Sequence, residues 1–193
     1  MSSFVEFIKS QVDISDDALA ALVEKTETRT YAKGEHLFMP DDGCDDYFFI
    51  NEGFARVYHV NDKGADMTVW FVGKHNFSST LHGLEPHKRR PNSCELLQDS
   101  VVTIIRHADV INLISEYHEL AMVLVLMLFG VSNRFVNLMT SLKRSAKEKL
   151  SDLLIDTPNI FQEAPAMHIA SYLGVTPETL SRIKSEVLMQ VEA

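Results

Sequence analysis

The sequence predicts an α+β chain in which a small β-roll is followed by a long helix and an all-helical C-terminal unit. Short alternating segments between Thr28 and Arg106 are separated by glycines about every ten residues. An apolar heptad pattern then runs through residues 109–145, and a helix-turn-helix pattern occupies 166–184. Glycine at successive corners is typical of an antiparallel roll or jelly roll. The predicted domains are therefore residues 1–108, 109–145 and 146–193.

The charge is acidic and unevenly distributed. The 193 residues carry a net charge of −9, of which residues 1–142 hold −8 and residues 143–193 hold −1. A hydrophobic share of 46% is enough for real cores. The net negative charge argues against a protein that coats nucleic acid non-specifically.

Targeting and cysteine patterns predict a cytoplasmic protein that does not enter a membrane. The longest apolar run, Leu120 to Phe129, is shorter than the roughly 18–20 residues needed to span a bilayer. The N-terminus lacks the pattern of a signal peptide. Cys44 and Cys94 form no close-spaced pair, so neither a disulfide framework nor a zinc or iron–sulfur motif is indicated.

The first hundred residues predict two helices followed by strands. Residues 4–12 and 16–25 have amphipathic helical periodicity, and Ser15 is the expected cap of the second helix. The period then changes to alternation. The strand candidates are residues 28–32, 35–39, 46–51, 54–60, 66–73 and 100–106.

The segment from Asn76 to Asn92 interrupts the strand pattern and is the candidate ligand site. It contains three hydroxyl residues followed by a basic run, a combination that suits a phosphate or a carboxylate. The candidate ligand-binding residues are Ser78, Ser79, Thr80, Arg89 and Arg90. The alternative is an ordinary solvated loop. His75, His82, His87 and Cys94 match no zinc spacing, so no metal site is predicted.

Residues 109–145 predict one long helix, with a possible joint at Gly130. Apolar residues repeat at alternating steps of four and three from Tyr117 to Leu142, which is typical of a coiled-coil seam. A helix this apolar needs cover on two sides, so we expect a parallel two-fold dimer. Burial within one chain is the alternative. The predicted dimer contacts are Tyr117, Leu124, Leu128, Val131, Phe135 and Leu138.

The helix-turn-helix pattern is carried by small and turn-forming residues at set positions. Ala170 permits close helix packing, Gly174 can end the first helix in a left-handed conformation, Thr176 can cap the second, and Pro177 suits its first turn. This layout is typical of a DNA-reading element. Residues 146–156 predict a further helix before it, with Pro158 marking the break.

The second helix of this hairpin has an inner apolar face and an outer polar face. Leu180, Ile183 and Val187 share the inner face. On the outer face, Arg182 can donate to guanine and Glu178 can accept from cytosine. An ordinary solvated helix face is the alternative. The predicted DNA-contact residues are Thr176, Glu178, Thr179, Ser181, Arg182, Lys184 and Ser185.

A second group of basic residues lies upstream of the hairpin. Lys143, Arg144, Lys147 and Lys149 are close together in the sequence. They either contact phosphates or form the polar face of a helix, and the pattern does not separate the two interpretations.

The order of these parts resembles the catabolite activator/FNR (Crp/Fnr) superfamily of bacterial transcription regulators. The resemblance covers nearly the whole chain and is most specific in KGEHLF (33–38), DDYFFINEGFARVY (45–58), SAKEKLSDLL (145–154) and HIASYLGVTPETLSRIKSE (168–186). The last segment is similar to the branch common in the Bacteroidetes. The resemblance implies a cyclic-nucleotide-binding-like roll, a dimerisation helix and base contacts from Glu178 and Arg182.

The ligand cassette departs from the family pattern. The resemblance aligns Arg90 with the cassette arginine, but Ser79-Thr80 stand in place of the usual Gly-Glu, and Pro91-Asn92 replace the small pair that follows the arginine. Because that glutamate is the usual partner of the ribose hydroxyl, the sequence argues against cyclic AMP, although Arg90 can still hold another anion. No haem, metal or iron–sulfur cluster is expected. Since only Val187 to Ala193 follow the predicted recognition helix, the family's β wing is expected to be reduced to a strand pair at Ile160-Phe161.

The sequence therefore predicts a dimeric regulator that binds double-stranded DNA. A small anionic effector at the roll would act by moving the roll against the long helix, or the regulator would be constitutive. RNA polymerase is a further candidate partner. The alternative function is a ligand-sensing module that acts by protein contact without DNA. An enzyme is not expected, because no strand carries a His-x-His pair and no catalytic triad or carboxylate pair stands out.

Overall fold

The computed structural model describes residues 3–79 and 92–191, with side chains as far as Val187. The described helices are Ser3–Gln11 (α1), Asp16–Glu24 (α2), His107–Glu116 (α3), His118–Ser141 (α4), Ala146–Asp156 (α5), Ile160–Glu163 (α6), Ala166–Leu173 (α7) and Pro177–Val191 (α8). The described strands are Thr26–Tyr31 (β1), His36–Phe38 (β2), Tyr47–Glu52 (β3), Ala55–Val60 (β4), Asp66–Val72 (β5), Phe77–Ser79 (β6), Asn92–Leu96 (β7) and Ser100–Ile105 (β8).

Two four-stranded antiparallel sheets form the predicted roll. Their strand orders are β1-β8-β3-β6 and β2-β7-β4-β5. The sheets enclose a core of apolar side chains that includes Phe48, Ile50, Val57 and Leu96. At the β3–β4 turn, Gly53 has a φ of 108°, and a Cβ on it would overlap the Ser100 side chain. Glycine is required at this corner for both reasons.

Strands β6 and β7 were not predicted from the sequence. Both lie at the ends of the segment that alternation excluded, and β6 consists of only Phe77, Ser78 and Ser79. Serine is normally a turn signal. In the fold, however, Ser78 and Ser93 are buried, and Ser78 donates to the Cys94 sulfur at 3.7 Å. Hydrogen bonding to neighbouring strands and burial in the roll therefore make β6 and β7 strands, although their own sequences have little strand pattern.

The N-terminal helices pack on the outer face of the first sheet. Ser15 caps α2 as predicted, accepting a hydrogen bond from the Ala18 N–H. Phe4 and Ile8 of α1 lie against Phe49 of β3, with the Phe4 and Phe49 rings 5.4 Å apart. This second core also receives side chains from α3 and α4, so it joins the helices to the roll.

The prediction of one helix over residues 109–145 is wrong. The chain breaks at Tyr117, which is extended with φ −125° and ψ 97°, and α4 then continues without interruption through Gly130. The break lets α3 and α4 each insert a leucine, Leu113 and Leu120, into the same core. Helix α4 is also attached to the start of α2, because Ser15 donates to the Glu119 carboxylate at 2.7 Å.

Helix α4 is the one described helix that is long and apolar enough, by length and composition, to cross a membrane. Its mean hydropathy reaches 1.7 in a window of 18 of its 24 residues, although it has no unbroken apolar run of that length. One of its faces nevertheless contacts protein, since Trp70 of β5 packs edge-to-face on Phe135 with ring centroids 6.0 Å apart.

The C-terminal unit is all-helical and contains a helix where a strand pair was expected. Residues 160–163 form α6, and Ile160 is fully buried in the C-terminal core. The prediction of a wing at Ile160-Phe161 is therefore wrong, because a single helical turn already buries the Ile160 side chain. The second helix of the hairpin is also longer than predicted: α8 includes Val187 and continues to Val191.

Candidate nucleic-acid interface and ligand cavity

The hairpin of α7 and α8 has the predicted local geometry. Gly174 ends α7 in the left-handed conformation, with φ 71° and ψ 33°, and its N–H bonds to carbonyls of the last turn. Thr176 accepts a hydrogen bond from the Thr179 N–H at 3.3 Å and so caps α8, which begins at Pro177. The turn is therefore set by residue types that the sequence already shows.

The inner face of the hairpin is a compact apolar core. Leu173, Leu180, Ile183 and Val187 are all buried there, together with Leu150 of α5. Helix α5 is positioned by a capping box in which Ser145 and Glu148 bond to each other's backbone N–H. With its inner face held in this way, α8 presents the opposite face outward.

The outer face of α8 carries most of the predicted DNA-contact residues. Glu178, Ser181, Arg182 and Ser185 are exposed, as is the cap residue Thr176. Arg182 makes no hydrogen bond or ion pair with another described residue. The Thr176 hydroxyl lowers the pKa of Glu178, which keeps that carboxylate ionised.

Lys184 differs from its neighbours on α8. It is half-buried, and its ammonium lies 3.9 Å from the centroid of the Phe161 ring. A cation–π contact of this kind holds the charge against the protein surface.

The basic residues upstream of the hairpin are partly neutralised. Arg144 pairs with Asp152, and Lys147 pairs with Glu186 at 3.5 Å. Lys143 and Lys149 make no ion pair among the described side chains. The structure thus leaves fewer free cations near α8 than the sequence suggests.

Helix α7 is docked on the outer face of the second sheet. The Ser171 hydroxyl accepts a hydrogen bond from the Thr68 N–H of β5 at 3.0 Å and donates to the Asp66 carbonyl at 3.2 Å. Beside it, the Tyr172 ring lies 5.6 Å from the Phe71 ring. The hairpin is therefore bound directly to the roll, which sequence periodicity could not indicate.

A charged network that the sequence did not reveal lies beneath α7. Arg56 of β4 is only 4% exposed, and it donates to Glu95 at 2.7 Å and to Asp66 at 2.9 Å. Its guanidinium also bonds to Thr68 and lies 4.2 Å from the Tyr58 ring centroid. Burial opposes the charge on Arg56, but the bonds to the two carboxylates outweigh it and raise the pKa of Arg56.

His168 of α7 faces this network and is buried as well. Burial lowers the pKa of His168, and the nearby Arg56 lowers it further, while Glu95 and Asp66 act in the opposite direction. Its Nδ1 has no hydrogen-bond partner in the described part of the chain. No sequence signal marked this histidine, because it stands alone on an otherwise apolar helix face.

A cavity of about 260 Å³ lies between the roll and α4. Ser78 and Ser79, two of the predicted ligand residues, are among its lining residues, although the Ser78 hydroxyl is engaged with Cys94. The other three, Thr80, Arg89 and Arg90, lie outside the described residues. Arg134 of α4 also lines the cavity and donates to the Asn76 amide oxygen at 2.8 Å. No sequence signal marked Arg134, because it stands among apolar residues of the heptad pattern.

The interior of the roll itself is largely filled with side chains. Phe38 and Phe48 lie with their ring centroids 6.1 Å apart, and Cys94 and Leu96 are fully buried beside them. Burial raises the pKa of the Cys94 thiol to about 12. The cavity of about 260 Å³ lies outside this filled interior, between the roll and α4.

The predicted dimer contacts on α4 do not share one environment. Leu124 and Val131 line the cavity beneath α4, and Tyr117 packs into the N-terminal core. Leu138 is half-buried, whereas Leu128 and Phe135 are exposed. Five exposed apolar side chains on α4 form a neighbouring stripe, here called the outer seam: Met122, Val125, Phe129, Val136 and Met139.

With this geometry established, comparison with known proteins places the fold. Residues 28–117 match the family model of the cyclic nucleotide-binding domain. The structure of FixK2 from Bradyrhizobium japonicum is similar at a TM-score of 0.72 and 20% identity, covering 86% of this chain and 85% of that one. The chain has the fold of the Crp/Fnr regulators. The predicted fold class and family resemblance are thereby confirmed.

Two further structures share the Crp/Fnr fold over most of their length. A CooA mutant from Carboxydothermus hydrogenoformans is similar at a TM-score of 0.68 and 15% identity, covering 93% of this chain and 88% of that one. The Thermus thermophilus catabolite activator protein is similar at a TM-score of 0.55 and 16% identity, covering 92% and 85% respectively. No curated protein matches the sequence. The shared order of roll, long helix and helical C-terminal unit is thus retained at low identity.

Proposed function

We propose that this chain is a transcription regulator that binds a pseudo-palindromic DNA site as a homodimer. In this proposal residues 1–108 form the sensing roll, 109–145 the dimerisation segment and 146–193 the DNA-binding unit. It acts in the cytoplasm, and RNA polymerase is a further candidate partner. Two recognition helices related by a two-fold axis would read half-sites about 34 Å apart, one turn of B-DNA.

The observation that carries the proposal is the outer face of α8. Glu178 and Arg182 are exposed one helical turn apart, while the opposite face of the same helix is buried. Donor and acceptor side chains arranged in this way can contact base edges in a major groove. The contact set we propose is Thr176, Glu178, Thr179, Ser181, Arg182, Lys184 and Ser185, with a smaller contribution from Lys184 because it packs on Phe161.

Dimerisation through α4 accounts for its apolar surface. Phe129 and Met139 are 63% and 64% exposed, which is unusual for side chains of this size on a soluble fold. The outer seam repeats at steps of three, four, seven and three, as a coiled-coil contact requires. We therefore assign the dimer contact to the outer seam, with Leu128 and Phe135 at its margin. Leu124 and Val131 contact the roll side instead.

The test is a binding titration with Arg182→Ala on a DNA site selected from a random duplex library. Loss of a bidentate base contact should weaken binding about 5- to 150-fold, the equivalent of 1–3 kcal/mol. Arg29→Ala, which removes an exposed arginine from β1, is the control and should bind like the wild type. Equal affinity and sequence preference in Arg182→Ala and wild type would refute the assignment of α8.

A second function is favoured by the neutralised charges around α8. Because Arg144 and Lys147 are paired and Lys184 lies on Phe161, the hairpin can instead serve as a protein-contact surface of a ligand-sensing module. Salt separates the two functions. DNA affinity should fall linearly with the logarithm of the salt concentration as counterions are released. An apolar protein contact would change little over the same range.

A further inference from the structure

We infer that the cavity between the roll and α4 binds a small carboxylate with an apolar body, and that Arg134 holds its carboxylate group. As an assignment of the effector class, this rests on the proposed function. As an assignment of a binding site, it rests on the cavity alone.

Arg134 has a positive charge that no described carboxylate compensates. Arg134 is half-buried on α4, and its one partner among the described residues is the neutral amide oxygen of Asn76. Burial lowers the pKa of Arg134, as expected for a cation without a facing anion. Arg56, which is more deeply buried, is paired with two carboxylates. Within the described part of the chain, the charge of Arg56 is therefore compensated by carboxylates and that of Arg134 is not.

The charges of the residues that line the cavity favour a negatively charged ligand. The described lining residues include Arg134, His75 and His107 but no aspartate or glutamate, in a chain whose net charge is −9. A guanidinium that bonds to Asn76 through one nitrogen keeps its other N–H groups for an anion, and a carboxylate can accept two of them at once. A single guanidinium with a fork of free N–H groups and no second cation within bonding distance among the described residues suits a monoanion with planar oxygens.

The apolar part of the cavity wall favours a ligand with an apolar body. Most of the wall is apolar, with Trp70, Phe77 and Leu128 among its members. The volume of about 260 Å³ lies just below the range of roughly 300–1,000 Å³ usual for small-molecule pockets. A compact aliphatic or aromatic body fits this wall, whereas a highly hydroxylated one would leave its polar groups unpaired.

The position of the cavity gives binding a mechanical consequence. Arg134 belongs to α4, whereas Asn76 and Ser79 belong to the turn and strand at the edge of the roll. A ligand held by both sides ties α4 to the roll, which would shift the population of α4 positions and hence the spacing of the two α8 helices in a dimer.

The experiment titrates the full chain with octanoate, and with octan-1-ol as the neutral analogue. Calorimetry measures affinity, and the fluorescence of Trp70, the single tryptophan of the chain, reports occupancy of the cavity. Octanoate should bind saturably and change the Trp70 emission. Arg134→Met should weaken octanoate at least tenfold and change the affinity for octan-1-ol less than twofold. Arg29→Met is the control and should leave both affinities unchanged.

A second variant keeps the outcome decisive if Arg134→Met does not fold. Val131→Phe retains the charge but fills the cavity, and it should weaken octanoate and octan-1-ol alike. Absence of saturable octanoate binding to the wild type, or equal octanoate affinity in wild type and Arg134→Met, would overturn the inference. Because these titrations contain no DNA, failure of the proposed DNA binding would be seen separately and would not affect their result.

Discussion

The side chain of Ser171 in α7 accepts a hydrogen bond from the backbone N–H of Thr68 in β5, at 3.0 Å. Because β5 is the edge strand of its sheet among the described strands, this N–H has no partner within that sheet. The same hydroxyl donates to the Asp66 carbonyl, so one serine satisfies two edge groups and joins the helix-turn-helix to the roll. The link therefore connects α7, and through the hairpin α8, directly to the roll.

Ser171→Ala is expected to lower the free energy of unfolding by about 1–3 kcal/mol, because the partly buried Thr68 N–H loses its partner. Urea unfolding gives the change in stability, and amide hydrogen exchange should accelerate specifically at Thr68. Ser115→Ala, an exposed serine on α3, is the matched control and should stay within about 0.5 kcal/mol of wild type. Identical Thr68 exchange in both variants would show that the bond is absent in solution.

Replacing Arg56 by methionine should be more severe. The variant leaves Glu95 and Asp66 without their cation in a partly buried site, and breaking such a pair costs about 3–5 kcal/mol. The bond to Arg56 lowers the pKa of Asp66, so the stabilisation is present above the unfolded pKa of Asp66 and is lost as the pH falls through the lower folded pKa. The deficit measured by urea unfolding should therefore shrink in acid. A deficit independent of pH would contradict the role of Asp66.

His168 predicts a second pH dependence, with the same sign but a higher range. Because its folded pKa is lowered below 6.5, the unfolded chain binds more protons just below that pH. Stability should be full above pH 6.5 and decline as the pH falls below it, until the folded pKa is reached. His168→Gln should remove this decline, whereas His118→Gln, at an exposed position on α4, should retain it. The measurement is the unfolding free energy at pH 7.5 and 5.5.

The outer seam predicts the oligomeric state. Phe129→Asp combined with Val136→Asp should convert a dimer into a monomer, since each protomer would bury two carboxylates at the contact without partners. Light scattering gives the mass. Ile155→Asp, which alters an exposed apolar residue on α5, should remain dimeric. A monomeric wild type, or a double variant with unchanged mass, would remove the dimer assignment.

Much of the fold could be predicted because the residues of several elements specify the local structure by themselves. Gly174 and Thr176 define the hairpin turn through backbone preference and capping, and the alternating segments between turn residues mark β3, β4 and β5 as strands. By contrast, β6 and β7 have no such pattern. Their serines become strand residues only because the opposing strands bury them.

The long apolar segment shows the same division. Its heptad pattern correctly predicts helix over most of its length, but it does not show which apolar stripe faces the roll and which faces outward. Leu124 and Val131 are placed on the roll side by the break at Tyr117, a residue that looks like an ordinary seam position in the sequence. The orientation of a helix that is apolar nearly all round depends on what packs against it.

By itself, the sequence determined the order of roll, long helix and helix-turn-helix, together with the outward polar face that holds Glu178 and Arg182. These features follow from short-range periodicity, capping and turn chemistry. Only the tertiary structure decided that Ser171 joins the hairpin to an edge strand, that Arg56 and His168 lie buried beneath α7, and that Arg134 faces a cavity. Each of these depends on residues far apart in the chain, whose meeting is set by packing and leaves no local pattern.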